Sequence, residues 1–251
     1  MKNQLNKNLI DRFSRQIILK NIGTLGQKKI LSEKVLIVGV GGLGSSVAEF
    51  LARAGVGTIG IVDNDRITLS NLHRQSLYQS SDIKKFKVTV AKKRIKKINP
   101  NTKIKVHKFR LDDLNFKKII NNYNYIVDGS DNFKTKFLLN DFCLKFKKNL
   151  VTGAISKFDG HIFTFNFKDK NIPCLRCFFQ ESSISDDILN CDSDGILGTV
   201  AGIVGTIQAN EVLKKILNIG KSLDRHIFIL DLLNLKFRKV KIKKRKNCLC
   251  K

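Results

Sequence analysis

Short apolar runs alternate with amphipathic stretches along this chain of 251 residues. Val35, Leu36, Ile37 and Val38 form an uninterrupted apolar run, the pattern of a strand buried on both faces. The positions from Ser45 to Arg53 predict a helix, with Gly55 and Gly57 as its stop signals. Thr58 to Val62 predict a second strand that ends at Asp63. Further on, Val88 to Lys97 reads as a helix, Tyr125 to Val127 as an apolar strand, and another helix starts near Phe133. A long helix is expected from Leu197 to Leu217. Gly198, Gly202, Gly205 and Ala209 recur along it at near-helical spacing, so its small-residue stripe suits close packing or a dimer contact and needs no chemistry.

Between the first strand and helix, Gly39, Gly41 and Gly44 stand at G-x-G-x-x-G spacing. Glycine there permits a tight turn and lets backbone approach a phosphate at the positive end of the next helix. Asp63 is placed to accept hydrogen bonds from a ribose. The unit is a βαβ nucleotide site. Its glycines alone would favour NAD or FAD, and so a nicotinamide oxidoreductase. The following segment, DNDRITLSNLHRQ, changes that reading because it adds Asp65, Ser70, Asn71 and Arg74. Hydride transfer needs no arginine and asparagine beside the phosphates, whereas charge developing on an α-phosphate does need cationic and amide donors.

These motifs resemble the MoeB/ThiF/HesA adenylyltransferases, bacterial relatives of ubiquitin-activating enzymes. The resemblance runs from about Arg12 to the C-terminus. It rests on RFSRQI (Arg12 to Ile17), GVGGLG (Gly39 to Gly44), AGVGTIGIVDND (Ala54 to Asp65) and SNLHRQ (Ser70 to Gln75). INP (Ile98 to Pro100), DGSDN (Asp128 to Asn132), PCLRC (Pro173 to Cys177) and the segment from Cys191 to Leu217 continue it. The implied fold is α/β and Rossmann-like: a mostly parallel sheet flanked by helices, with additional antiparallel strands in the C-terminal half. One domain would span residues 1–251, with a nucleotide-binding half at about 30–150 and a carrier-binding half at about 151–251. The implied activity is ATP-dependent adenylation of the C-terminal glycine of a ubiquitin-like sulfur carrier ending in Gly-Gly. A ThiS-like carrier would mean thiamine biosynthesis, and a MoaD-like one molybdenum cofactor biosynthesis. The alternatives are an NAD-dependent oxidoreductase, which would want a proton donor in a second domain, and a non-catalytic nucleotide-binding homologue.

Residue by residue, the resemblance makes Arg15, Asn71, Arg74, Lys87 and Asp131 catalytic, with Arg15 reaching the partner subunit of a homodimer. ATP would be held by Gly39, Gly41, Gly42, Asp63, Asp65, Ser70, Asn71, Leu72, His73, Arg74, Lys87, Asp131 and Asn132. Asp131 would carry Mg²⁺, a hard ion suited to a carboxylate; the alternative is a loop Asp that caps the helix starting near Phe133. Asp128 is expected to support the turn. Cys191 matches a cysteine that bonds covalently to the activated carrier in some relatives and is dispensable in others. Cys174 and Cys177, with Cys248 and Cys250, would form a structural zinc site, although the family's second C-x-x-C is here a C-x-C. Cys143 reads as core packing.

Composition adds limits. The net charge of +26 invites a nucleic-acid reading. Lysine is spread along the whole chain and gathers in no single patch, so solvated faces explain it better, and no specific nucleic-acid partner is expected. The apolar stretches are strand-length or interrupted by charge, which predicts no membrane span. The basic N-terminal segment lacks the apolar core of a secretory signal. Six cysteines in a chain expected in the cytoplasm do not suggest a disulfide framework.

Overall fold

The structure, a computed structural model, describes residues 5–179, 195–248 and 250. Two helices, α1 (Lys7–Ile17) and α2 (Gly23–Ser32), precede the first strand, β1 (Lys34–Val38). The chain continues through α3 (Gly42–Ala54), β2 (Thr58–Val62), α4 (Lys87–Ile98), β3 (Lys103–His107), α5 (Asp113–Ile119), β4 (Tyr125–Asp128) and α6 (Phe133–Lys145). Then come β5 (Asn149–Ser156), β6 (Asp159–Asn166), the short α7 (Leu175–Phe178), α8 (Gly198–Leu217), β7 (His226–Asp231) and β8 (Lys236–Lys241).

All eight strands belong to one sheet in the order β3-β2-β1-β4-β5-β6-β7-β8. The first five are parallel, and β6, β7 and β8 extend the sheet antiparallel. The expected α/β class and antiparallel C-terminal strands are both present. The apolar run of β1 explains the layering, because alternate residues of a strand face opposite sides. Val35 and Ile37 join one core with Val47 and Leu51 of α3, Ala91 of α4 and Val212 of α8. Leu36 and Val38 join the other with Phe116 of α5, Phe137 and Cys143 of α6, and Leu175 of α7. Helices therefore cover both faces, and Cys143 is packing, fully buried. Among the described residues, no helix is long and apolar enough to cross a membrane.

Helix α3 starts three residues before the predicted Ser45, since Gly42 and Gly44 lie inside its first turn. Gly55 closes it in the left-handed conformation at φ +94°. Gly57 is there for another reason: a Cβ would collide with the Leu31 carbonyl. On α8, Gly198 and Gly205 are packed as the stripe predicts, since side chains there would strike the carbonyls of His73 and Leu43, whereas nothing lies within 4 Å of where a Cβ on Gly202 would stand.

Candidate nucleotide cleft

Strand order reverses between β1 and β4, and such a switch point opens a crevice at the C-terminal strand ends. Register does the placing here. Val38 pairs with Val62 on one side and Asp128 on the other, so Gly39, Asp63 and Gly129 emerge together at one rim. The Gly39 amide donates to the Val62 carbonyl at 2.8 Å, and the Gly129 amide to that of Val38 at 2.8 Å. Above them lies a cleft of about 920 Å³, within the range of small-molecule sites.

The three glycines divide the labour. Gly39 makes the turn at φ +82°, and Gly44 lets the helix pass under the Gly39 carbonyl. Gly41 is the N-cap of α3 and lines the cleft beside Gly42. A helix N-terminus presents unpaired amides and a positive dipole end, which suits an anion.

Asp63 anchors the loop, since its carboxylate accepts from the amides of Val40 (2.9 Å) and Asp65 (2.8 Å). Burial pushes its carboxyl up from the ordinary range, against lowering by Lys87 and those two amides. Lys87 opens α4 and donates to the Asp65 carboxylate at 2.8 Å. Its side chain is nearly buried while that of Asp65 stays exposed to the cleft. Arg74 donates to the Ser70 carbonyl (3.0 Å) and contacts His73 Nε2 (2.7 Å), which must accept because guanidinium only donates. Asn71 ends a short 3₁₀ turn and accepts weakly from the Thr68 amide through its side chain.

Across the cleft, Asp128 is fully buried and ion-paired to Lys136 at 3.1 Å. It also accepts from Thr152, the Ser130 amide and the Ser130 hydroxyl, so it holds the turn as expected. Asp131 sits exposed on the same turn. Asn132, not Asp131, caps α6, accepting from the Thr135 amide at 2.9 Å. The capping alternative for Asp131 is thereby removed. Its Oδ1 accepts from Asn132 and its Oδ2 has no partner among the described residues, which fits a hard cation beside phosphates.

Of the residues expected at ATP, Gly39, Gly41, Gly42, Asp63, Asp65, Asn71, Arg74, Lys87, Asp131 and Asn132 line the cleft. Ser70, Leu72 and His73 do not. Ser70 and His73 support Arg74 from outside, and Leu72 packs against the core. Arg15 is exposed on α1. That helix is tied to the far end of α3, where Gln16 donates to the Ala54 carbonyl at 3.1 Å. The 13 residues of α3 separate it from the cleft by roughly 20 Å. Cys191 lies outside the described residues. Phe109, Arg110 and Leu111, on the loop after β3, also line the cleft and were not expected; their only signal is a position just past a parallel strand's C-terminal end. Gln75 lines it too, a residue with no role expected from its motif.

A second constellation lies away from the cleft. The sulfurs of Cys174, Cys177, Cys248 and Cys250 all fall within 4.8 Å of one another. Cys174 meets Cys248 at 3.5 Å and Cys177 meets Cys250 at 3.4 Å. Four sulfurs around one tetrahedral zinc stand about 3.8 Å apart, from Zn–S bonds of about 2.3 Å. The shortened C-x-C is therefore no obstacle, since each of its sulfurs faces a different one of the C-x-x-C. The set fits a metal ion.

The sequence profile of the ThiF family matches residues 13–251. A sulfur carrier protein adenylyltransferase of Thermus thermophilus is 38% identical over 245 residues, covering 96% of this chain and 90% of that protein. A probable molybdopterin-synthase adenylyltransferase of Gracilaria tenuistipitata is 37% identical, covering 94% of this chain and 66% of that one. The adenylyltransferase and sulfurtransferase MOCS3 of Drosophila willistoni is 38% identical over 99% of this chain, which spans 54% of that relative's length. Among solved structures, E. coli MccB with MccA-N7isoASN superimposes with a TM-score of 0.84 at 19% identity, covering 99% of this chain and 76% of that one. At that identity the likeness concerns the fold.

Proposed function

The chain belongs to the ThiF family, and from that premise we propose that it adenylates the C-terminal glycine carboxylate of a ubiquitin-like sulfur carrier, using cytoplasmic ATP. The observation that carries this reading is the cleft itself. One rim offers a helix N-terminus, Asp63, Arg74 and Lys87, and the other offers Asp131. The sulfur-carrier adenylyltransferase of Thermus thermophilus, alike over nine-tenths of its length, supports the substrate class.

The carboxylate is ionised at neutral pH, so the reaction needs no general base. Its oxygen attacks the α-phosphorus of ATP, the bond to the β-phosphate oxygen breaks, and pyrophosphate leaves. The protein's task is alignment and neutralisation of charge. The amides at the start of α3 cradle phosphate, Asp63 accepts from the ribose hydroxyls, and Asn71 orients the triphosphate. Arg74 and Lys87 stand against growing phosphate charge. Arg15 cannot reach its own cleft, so in this reading the partner subunit's Arg15 completes each site of a homodimer. Asp131 would hold Mg²⁺, which would supply positive charge to offset that of the phosphates. The four cysteines would hold zinc in a structural role, pinning the C-terminal tail to α7.

Carrier-dependent exchange of labelled pyrophosphate into ATP tests the proposal, with ThiS-like and MoaD-like carriers offered separately. Exchange with one carrier establishes adenylation and separates the thiamine from the molybdenum cofactor pathway. A folded dimer that exchanges with neither refutes it.

A further inference from the structure

Lys136 of α6 lies behind the cleft and does not line it, yet it grips the turn that carries Asp131. The residue is buried, and its ammonium donates to the Ser130 carbonyl at 2.8 Å and the Gly153 carbonyl at 2.6 Å. Its third bond goes to Asp128, itself fully buried. Among the described residues the Ser130 carbonyl has no other donor, so this ammonium alone fixes the peptide plane that leads into Asp131. On the other side of Asp131, the Asn132 side chain caps α6 through the Thr135 amide. Asp131 thus stands between two anchored neighbours.

Stability alone does not account for this arrangement. A buried ion pair gains little over apolar side chains of similar volume, because desolvation offsets its attraction. Neutralising Asp128 needs one contact, whereas the ammonium directs two of its three protons at carbonyls. We propose that Lys136 is a positioning residue: through the Ser130 carbonyl it holds Asp131 where the divalent cation of a bound metal–nucleotide meets its carboxylate. This rests on the adenylation reading, with Asp131 as the metal's ligand, and adds the residue that keeps that ligand in place. The order of two affinities separates positioning from charge. By charge alone, losing an ammonium weakens metal-free ATP, the more negative ligand, more than Mg²⁺–ATP. Positioning predicts the reverse, and groups that orient a metal's ligands typically contribute about 10–100-fold to affinity.

The test is equilibrium dialysis of labelled ATP against the full-length enzyme, in Mg²⁺ or in EDTA; without carrier, no adenylate forms. Lys136→Met is expected to bind Mg²⁺–ATP about tenfold more weakly and metal-free ATP within about twofold of wild type. The double variant Lys136→Met with Asp128→Asn restores the charge balance and is the more stable protein. It should keep the tenfold loss, since the Ser130 carbonyl still lacks its donor. Added to Asp131→Ala, Lys136→Met should weaken Mg²⁺–ATP no further, because it acts through that carboxylate. Wild-type affinity for Mg²⁺–ATP in a folded variant overturns the assignment, as does a larger loss for metal-free ATP. Full recovery in the double variant overturns it too, by tracing the effect to the stranded charge of Asp128. So does a further tenfold loss on the Asp131→Ala background. Absence of carrier-dependent pyrophosphate exchange by the wild-type enzyme sinks the adenylation reading itself, a separate result.

Discussion

Replacing Lys136 by methionine should destabilise the protein heavily, although Lys136 touches no ligand. The residue is 5% exposed and the three protons of its ammonium all have acceptors: Asp128 at 3.1 Å, the Ser130 carbonyl at 2.8 Å and the Gly153 carbonyl at 2.6 Å. Lys136→Met leaves the Asp128 carboxylate charged, fully buried and without a cation. Breaking a buried pair from one side costs about 3–5 kcal/mol. At about 2–4 °C per kcal/mol for a domain of this size, Tm should fall by about 10 °C or somewhat more. Pairing the change with Asp128→Asn removes the stranded charge while keeping an acceptor for Thr152 and Ser130, so the double variant should recover about 1–2 kcal/mol. Urea denaturation and thermal unfolding of the wild type and the two variants measure this. A Lys136→Met protein within about 1 kcal/mol of wild type would refute the reasoning, as would a double variant no more stable than the single one.

Asp131→Ala removes an exposed carboxylate, so stability should move by no more than about 0.5 kcal/mol. Pyrophosphate exchange should nevertheless fall by about a hundredfold or more; normal exchange would void the metal assignment. Arg15→Ala should be inactive alone but recover about a quarter of wild-type activity after subunit exchange with Asp131→Ala, since half the dimers would hold one intact site. No recovery in mixed dimers would argue against action across the subunits. Cys250→Ser should lower bound zinc, measured by mass spectrometry and a thiol-release assay, from one ion per chain and lower Tm. Asp82 supplies a pH test. Burial would raise its carboxyl, but bonds from Lys85 and Arg94 outweigh that and hold it below its ordinary value of 3.8. Its stabilisation is thus full above that value and lost as pH falls through the lowered one. The gap between wild type and Asp82→Asn, about 1 kcal/mol at neutral pH, should close on acidification below about pH 4.

Most of this architecture is written in local pattern. The apolar run of β1, the glycine spacing and the strand ending at Asp63 are consecutive in sequence, so the first βαβ unit can be read without tertiary information. The early start of α3 was missed because glycine disfavours helix on propensity, and only the passage of Gly44 under the Gly39 carbonyl shows why it is there. Residues assembled from far apart were harder. Phe109 to Leu111 have no motif, and Lys136 is one lysine among many until Asp128 and Gly153 are seen around it. The cysteine tail was legible as ligands but not as geometry, since C-x-C strains chelation unless its sulfurs turn to different partners.

The polar groups of the cleft fall into two kinds, and the division follows what each would meet. Three of the cations are already oriented: Lys87 by Asp65, Arg74 by the Ser70 carbonyl and His73, and Arg66 by the Lys84 carbonyl and the Phe86 ring at 3.9 Å. A charge that stabilises a transition state is most effective when it need not reorganise, and such anchoring supplies that. Asp131 is different, since its exposed carboxylate keeps one oxygen with no partner among the described residues. Acceptors cannot serve phosphates. A carboxylate oxygen beside a triphosphate requires a metal ion. In the adenylation reading, that open acceptor marks where Mg²⁺ would enter with the nucleotide, and the anchored cations mark where the phosphates would lie.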